Sequence, residues 1–135
     1  MTVKGGEPRT SELPGGLRAR VATAARAAED KKAEDVLVLE VGPVLVITDA
    51  FVLATGTSAR HVRTIAEAVE EAVKAAGGSG PQRIEGLGDA RWVLLDFGDF
   101  VVHVFDRETR SYYSLERLWG DAPRLEWGEL SGQRA

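Results

Sequence analysis

The segment from Trp92 to Phe105, WVLLDFGDFVVHVF, constrains the fold more than any other part of the sequence. It consists of two mainly apolar runs on either side of Gly98-Asp99. A Gly-Asp pair between such runs predicts a two-residue hairpin turn, because glycine accepts the positive φ angle that the primed turns require. The turn fixes the register, so we expect Trp92 to face Phe105 and Leu95 to face Val102.

Side chains alternate along a strand, so the hairpin has two distinct faces. One is entirely apolar and is predicted to be core: Val93, Leu95, Phe97, Phe100, Val102 and Val104. The other, called the mixed face below, combines large apolar groups with two ionisable ones: Trp92, Leu94, Asp96, Val101, His103 and Phe105. We expect function on the mixed face.

Composition limits the classes of protein to consider. The chain has 135 residues, 44% of them hydrophobic, which predicts a single globular domain with a real core. Its net charge of −4 argues against direct DNA binding. The charge is compatible with binding to a ribosome through a basic protein partner. No cysteine is present, which excludes thiolate metal sites and fits a cytoplasmic location. No signal peptide or membrane-spanning run is visible.

The remaining pattern predicts helices and strands in alternation. A flexible leader occupies residues 1–16, and a Gly-rich connection occupies residues 77–90. We expect helices over residues 17–32, from Thr57 or Ser58 to Ala76, and over 107–119, the last one capped by Asp106. Extended segments are expected over residues 36–41, 44–48 and 51–55. This order predicts an α/β fold in which a mixed β-sheet is flanked by helices.

The sequence ATGTS at residues 54–58 is a strand–glycine–helix junction that could hold an anion. It lacks the spacing and the lysine of a P-loop, so ordinary capping of the helix is the favoured interpretation. Arg60 and Arg63 oppose the helix dipole there. They are candidates for a contact with an anion or RNA, and exposed arginines without a role are an equally good explanation.

Asp96 and His103 are diagonal neighbours on the mixed face, and an Asp–His pair can serve acid–base chemistry. The hairpin contains no serine, cysteine or lysine that would act as a nucleophile. His61 is the only other histidine, so no histidine-rich metal site is indicated. We therefore favour a structural or interface role for the pair, and predict no catalytic residues and no metal.

Aromatic residues are more numerous than one sheet and three helices can cover. Tyr112 and Tyr113 are adjacent, and a single helix face cannot bury both. With Trp119, and with Trp92 and Phe105 nearby, they could form an exposed aromatic patch, although such residues are more often core. An exposed patch marks a protein interface, and it predicts a homodimer when the protein is free.

Four motifs resemble the ribosomal silencing factor family, also called Iojap-like: KAEDVLVLEV, ITDAFVLATGTSARHV, WVLLDFGDFVVHVF and YYSLERLWGDAP. The resemblance covers residues 17–123 and leaves residues 124–135 as a C-terminal tail. Ala50-Phe51 departs from the aromatic pair usual in the family. The resemblance implies a fold like that of nucleotidyltransferases without their catalytic site.

The resemblance also implies a function. Members bind the large ribosomal subunit through ribosomal protein L-fourteen, block joining of the small subunit and lower translation when nutrients are scarce; a role in ribosome biogenesis is also open. No enzyme activity and no cofactor are implied. The alternative, a metal-dependent nucleotidyltransferase-like enzyme, needs paired aspartates, and the sequence has no Asp-x-Asp. The predicted partner-binding residues are Trp92, Leu94, Asp96, His103, Phe105, Tyr112 and Trp119.

Overall fold

The computed structural model describes residues 15–42, 48–77, 79–113 and 124–125. Helices and strands within these ranges follow one another along the chain. In order they are α1 (Gly15–Asp30), β1 (Glu34–Glu40), β2 (Ala50–Gly56), α2 (Ala59–Ala75), β3 (Arg83–Glu85), β4 (Trp92–Asp96), β5 (Phe100–Asp106), α3 (Arg107–Tyr113) and β6 (Arg124–Leu125).

The strands form one mixed sheet in the order β3-β4-β5-β2-β1-β6. β2 and β5 are parallel neighbours, because the chain leaves β2 through the crossover helix α2 before it returns to the sheet. The other neighbouring strands are antiparallel. The predicted class, a mixed α/β sheet flanked by helices, is confirmed. Kinship with nucleotidyltransferases stays a prediction.

The hairpin of β4 and β5 has the predicted register. Trp92 is the partner of Phe105, and Leu95 is the partner of Val102. Gly98 has a φ of 93°, the value for which glycine was expected in the turn. The backbone N–H of Phe97 donates to the carbonyl of Phe100 at 2.9 Å and closes the hairpin.

The all-apolar face of the hairpin is the centre of the main core. Each of its side chains is buried, together with the neighbouring positions of β1 and β2. Helices α1 and α2 cover this face with the stripes that the sequence predicts: Leu17, Val21, Ala24, Ala25 and Ala28 from α1, and Val62, Ile65, Ala66, Val69 and Val73 from α2. Helical spacing therefore predicted the buried side of both helices correctly.

A second cluster lies on the opposite side of the sheet. Its buried members come from β1, β2 and β5 and from the residue that follows the end of β1 by one position: Leu39, Phe51, Leu53, Phe105 and Val41. Trp92, Val101 and Leu37 are half-buried against this cluster. The mixed face thus has a buried part over β1, β2 and β5 and a half-exposed part over β4 and β5.

Short strands account for most differences from the predicted elements. Residues 83–85, inside the predicted connection, form β3 at the edge of the sheet. Residues 124–125, at the start of the predicted tail, form β6 against β1. Helix α1 begins at Gly15, within the predicted leader. Residues 1–14 lie outside the described ranges, as do residues 43–47 and 114–123, on which parts of the predicted strand 44–48 and helix 107–119 fall.

Candidate partner-binding surface

A half-exposed strip runs along the mixed face at the hairpin. Trp92, Leu94 and Asp96 alternate along β4, and Val101 lies beside Asp96 on β5. These four residues, called the docking strip below, are all partly accessible. They project from the two paired strands of the hairpin, so the sheet holds their backbone in place.

His103 and Phe105 lie beneath the docking strip. The sequence predicted both on the binding surface, whereas the structure leaves His103 with 5% and Phe105 with 0% of its surface exposed. The parallel neighbour β2 places Leu53 beside His103 and Thr55 beside Phe105, and the Trp92 ring packs against both buried rings. In this structure the two residues support the strip from below.

The indole N–H of Trp92 donates a hydrogen bond to Nδ1 of His103 over 3.0 Å. The Trp92 ring also packs on Phe105, with 5.1 Å between the ring centroids. On its other side, His103 meets Phe51 edge to face at 4.7 Å. The aromatic groups therefore form a continuous series of ring contacts from the exposed strip into the second cluster.

The imidazole of His103 is neutral in this setting. Burial lowers the pKa of His103 from 6.5 to about 4, because the charged form would lose its water. Nδ1 accepts from Trp92, so the proton of the neutral ring is on Nε2. Nε2 is buried and has no hydrogen-bond partner among the described residues.

Asp96 does not form a pair with His103. Its Oδ1 accepts from the backbone N–H of Gly98 at 2.9 Å, which braces the hairpin turn, and its Oδ2 accepts from Arg83 at 3.3 Å. The carboxylate is therefore occupied at the turn, while the imidazole is occupied by Trp92. This arrangement supports the structural interpretation of both residues over acid–base chemistry.

Arg83 also belongs to this region, although the sequence pattern did not predict a role for it. It stands on β3 directly opposite Asp96, and its guanidinium contacts both Asp96 and Glu85. The signal was the alternation Arg83-Ile84-Glu85, in which the apolar residue points to the core and the charged ones to the mixed face. Three residues are too few for that alternation to stand out in a glycine-rich segment.

The junction at residues 54–58 is built for packing and capping. A Cβ atom at position 56 would lie 2.9 Å from Cγ2 and 3.0 Å from the backbone N of Val62, so only glycine fits there. Ser58 is the N-cap of α2, and its Oγ accepts from the N–H of His61. His61 in turn accepts from the N–H of Thr57 and bonds the carbonyl of Lys31. Capping, the favoured interpretation, thus explains the motif.

The two arginines that follow have different surroundings. Arg63 donates to the carbonyls of Leu87 and Gly88 at 3.0 and 2.7 Å, so it holds the turn before β4. Arg60 is exposed. Of the two candidates for a contact with an anion or RNA, Arg60 is therefore the more accessible one.

Helix α3 leaves the end of β5 and carries Tyr112, whose exposed fraction is 80%. The N–H of Thr109 donates to Asp106, which confirms the predicted cap. Arg110 is buried and fastens the helix to the sheet through Thr55 at 2.7 Å and the carbonyl of Asp35. The structure describes no side-chain position for Tyr113, and Trp119 lies outside the described residues.

Two properties of the described residues bear on other classes of protein. No three side chains among them gather in a metal-binding arrangement. No helix in this part of the chain has both the length and the apolar character that a membrane span requires.

Comparison with known proteins links this architecture to one family. Residues 15–135 match the family model described as "Ribosomal silencing factor during starvation". The chain is 45% identical over 100 residues to the ribosomal silencing factor RsfS of Bacillus subtilis, an alignment that covers 74% of this chain and 84% of that protein. It is 34% identical over 105 residues to the chloroplast protein Iojap of Arabidopsis thaliana, covering 76% of this chain and 42% of that protein.

A solved structure supports the same relationship. The crystal structure of a Chromobacterium violaceum protein superimposes with a TM-score of 0.72 and 34% sequence identity. The superposition covers 80% of this chain and 88% of that one. The resemblance expected from the four motifs is thereby confirmed at the level of the family.

Proposed function

Because this chain belongs to the ribosomal silencing factor family, we propose that it binds the large ribosomal subunit through ribosomal protein L-fourteen. The bound protein occupies the face that the small subunit needs, and so it blocks subunit joining and lowers translation. The observation that carries the proposal is the docking strip, where a half-exposed tryptophan is held on a rigid hairpin.

The docking strip has the character of a protein-binding surface. Trp92 presents a large apolar ring with few rotatable bonds, and such residues supply most of the affinity at protein interfaces. Leu94 extends the apolar area beside Trp92, and Val101 adds apolar surface at the far end of the strip, beside Asp96. The hairpin is already ordered, so binding costs little conformational entropy.

Charge favours a basic partner. The chain carries a net charge of −4, and ribosomal proteins that contact RNA are basic as a class. Opposite charges on two partners speed their encounter, whereas buried apolar groups hold the complex together. Asp96 and Glu85 face the same side of the sheet as Trp92, and Arg83, which contacts both, offsets one of their two negative charges.

Blocking by occupancy requires no chemistry, and we propose that the protein is not an enzyme. A nucleotidyltransferase would need paired aspartates for two metal ions, and the sequence has no Asp-x-Asp. Its glycine-containing junction is accounted for by the close approach of Gly56 to Val62. The same docking strip, with Tyr112, is our candidate for self-association of the free protein in the cytoplasm.

The test is a subunit-joining assay. Purified large subunits are incubated with the protein, small subunits are added at rising magnesium concentration, and the particles are separated on a sucrose gradient. We expect the protein to migrate with large subunits and the peak of joined ribosomes to shrink as protein is added. Normal joining with large subunits saturated by the protein would contradict blocking, and no co-migration would contradict ribosome binding.

A further inference from the structure

The ring of Trp92 has one hydrogen-bonding atom, and that atom points into the protein. Its Nε1 donates to Nδ1 of His103 at 3.0 Å, while the ring itself remains half-exposed. A tryptophan held only by apolar contact can turn about its side-chain bonds. The hydrogen bond selects one orientation of the indole on the docking strip.

His103 is well placed to serve as a fixed acceptor. It lies on β5, between β4 and β2, and only 5% of its surface is exposed. Phe51 meets its ring edge to face at 4.7 Å, and the Phe105 ring lies nearly parallel to it at 6.1 Å between centroids. The acceptor therefore cannot move without disturbing the second cluster.

A phenylalanine would fill this apolar site without burying a polar group. The histidine instead leaves its Nε2–H buried with no hydrogen-bond partner in the part of the chain that the structure describes. An unsatisfied buried donor costs stability and calls for a compensating role. Within the described ranges, the one hydrogen bond that the imidazole makes is the bond to Trp92.

We infer that His103 is a positioning residue for partner binding: its Nδ1 fixes the indole of Trp92 in the orientation that the ribosomal partner accepts. The inference rests on the proposed function, because it concerns the same docking strip. His103 does not touch the partner. It acts through Trp92, and what it contributes is an acceptor at one place beneath the strip.

The tautomer is tested first, on the free protein. Long-range proton–nitrogen NMR spectra of the full chain at neutral pH should show His103 protonated on Nε2 and bare on Nδ1. The His103→Phe substitution should shift the indole N–H signal of Trp92. A proton on Nδ1, or an unchanged indole signal in the variant, would overturn the inference without touching the proposed function.

Affinity for isolated large subunits is then measured for variants at position 103. His103→Asn places an amide oxygen near the position of Nδ1, whereas His103→Phe keeps the aromatic volume and accepts nothing. We expect His103→Phe to weaken binding about tenfold, as loss of one hydrogen bond does. We expect His103→Asn to stay within about threefold of the parent despite its smaller volume.

Trp92→Phe supplies a second variant that leaves the buried site intact. It removes the donor, so His103→Phe should add almost no further loss in that background. The inference would be overturned if His103→Asn and His103→Phe lost the same affinity. It would also be overturned if His103→Phe bound like the parent while Trp92→Ala failed to bind. Either result would leave the proposed function standing. If Trp92→Ala binds large subunits with the affinity of the parent, the docking strip is not the binding surface.

Discussion

The guanidinium of Arg20 and the carboxylate of Asp99 lie 2.9 Å apart, which joins helix α1 to the turn of the hairpin. The same guanidinium stands 5.2 Å from the centroid of the Phe100 ring. Asp99 therefore has a second role besides forming the turn, because it ties the tip of the hairpin to the helix that covers the core. The backbone carbonyl of Asp99 adds a third contact by accepting from the N–H of Asp49.

This ion pair should be weakly stabilising and sensitive to salt. Both side chains are partly exposed, so a double-mutant cycle of Arg20→Ala and Asp99→Ala should give a coupling of about 0.5–1 kcal/mol. The measurement is chemical unfolding at low and at high salt, and the coupling should shrink at high salt. A coupling of zero at low salt would mean that the contact has no energetic weight.

Gly56 should tolerate no side chain. In Gly56→Ala the new Cβ would press on the backbone of Val62 at 3.0 Å, and the backbone of a packed helix cannot withdraw easily. We expect a loss of about 1–3 kcal/mol in the free energy of unfolding. Gly16→Ala is the matched control: nothing lies within 4 Å of its Cβ, and alanine in a helix should be neutral or stabilising by up to about 1 kcal/mol. Equal effects at the two positions would contradict the packing account.

Local patterns predicted much of this fold. The hairpin register follows from one turn, and the buried stripe of α2 follows from residue spacing, because both depend on neighbours in the chain. The strands β3 and β6 could not be predicted in the same way. They have three and two residues and exist because an adjacent strand offers them hydrogen bonds.

The candidate site shows the same difference between features set by neighbours in the chain and features set by distant strands. The sequence correctly grouped Trp92 and His103 on one face, but it could not show that β2 lies parallel beside β5 or that His103 is buried. The pairing of Asp96 with Arg83 depends on β3, which was itself missed. The contact between Arg20 and Asp99 joins residues 79 positions apart, and no local pattern reports such a contact.

The buried imidazole should make stability depend on pH. The pKa of His103 is about 4 in the folded protein, below its ordinary value of 6.5, so the unfolded chain binds the proton first as pH falls. The contribution of neutral His103 to the free energy of unfolding is fully present above pH 6.5 and is lost as the pH falls from there to about 4. The loss amounts to about 3 kcal/mol, since each pKa unit corresponds to about 1.4 kcal/mol.

His103→Asn isolates this effect, because the variant keeps every other titrating group. Unfolding free energies of the parent and the variant are measured from pH 7 to pH 4. As pH falls across this range, the parent should lose about 3 kcal/mol more unfolding free energy than the variant. A difference that does not vary with pH would show that His103 titrates normally.

Arg60 should affect ribosome binding through long-range charge alone. It is exposed, and charges on such residues are screened at physiological ionic strength. Arg60→Ala should therefore change affinity by less than about 1 kcal/mol at physiological salt and should flatten the dependence of affinity on salt. Arg63→Ala is the comparison, because it releases the carbonyls of Leu87 and Gly88 and should lower the melting temperature as well. A large salt-independent loss in Arg60→Ala would indicate a direct contact.

The central claim, that the docking strip binds the ribosome, is tested most directly by comparing Trp92→Ala with Val102→Ala. Val102 lies on the all-apolar face and is fully buried, so its truncation should cost about 2 kcal/mol of stability and leave affinity nearly unchanged. Trp92→Ala should weaken co-sedimentation with large subunits by about 2 kcal/mol or more while the protein remains folded. If Trp92→Ala melts early but binds large subunits like the parent once folded, Trp92 is a core residue and the docking strip is not the binding surface.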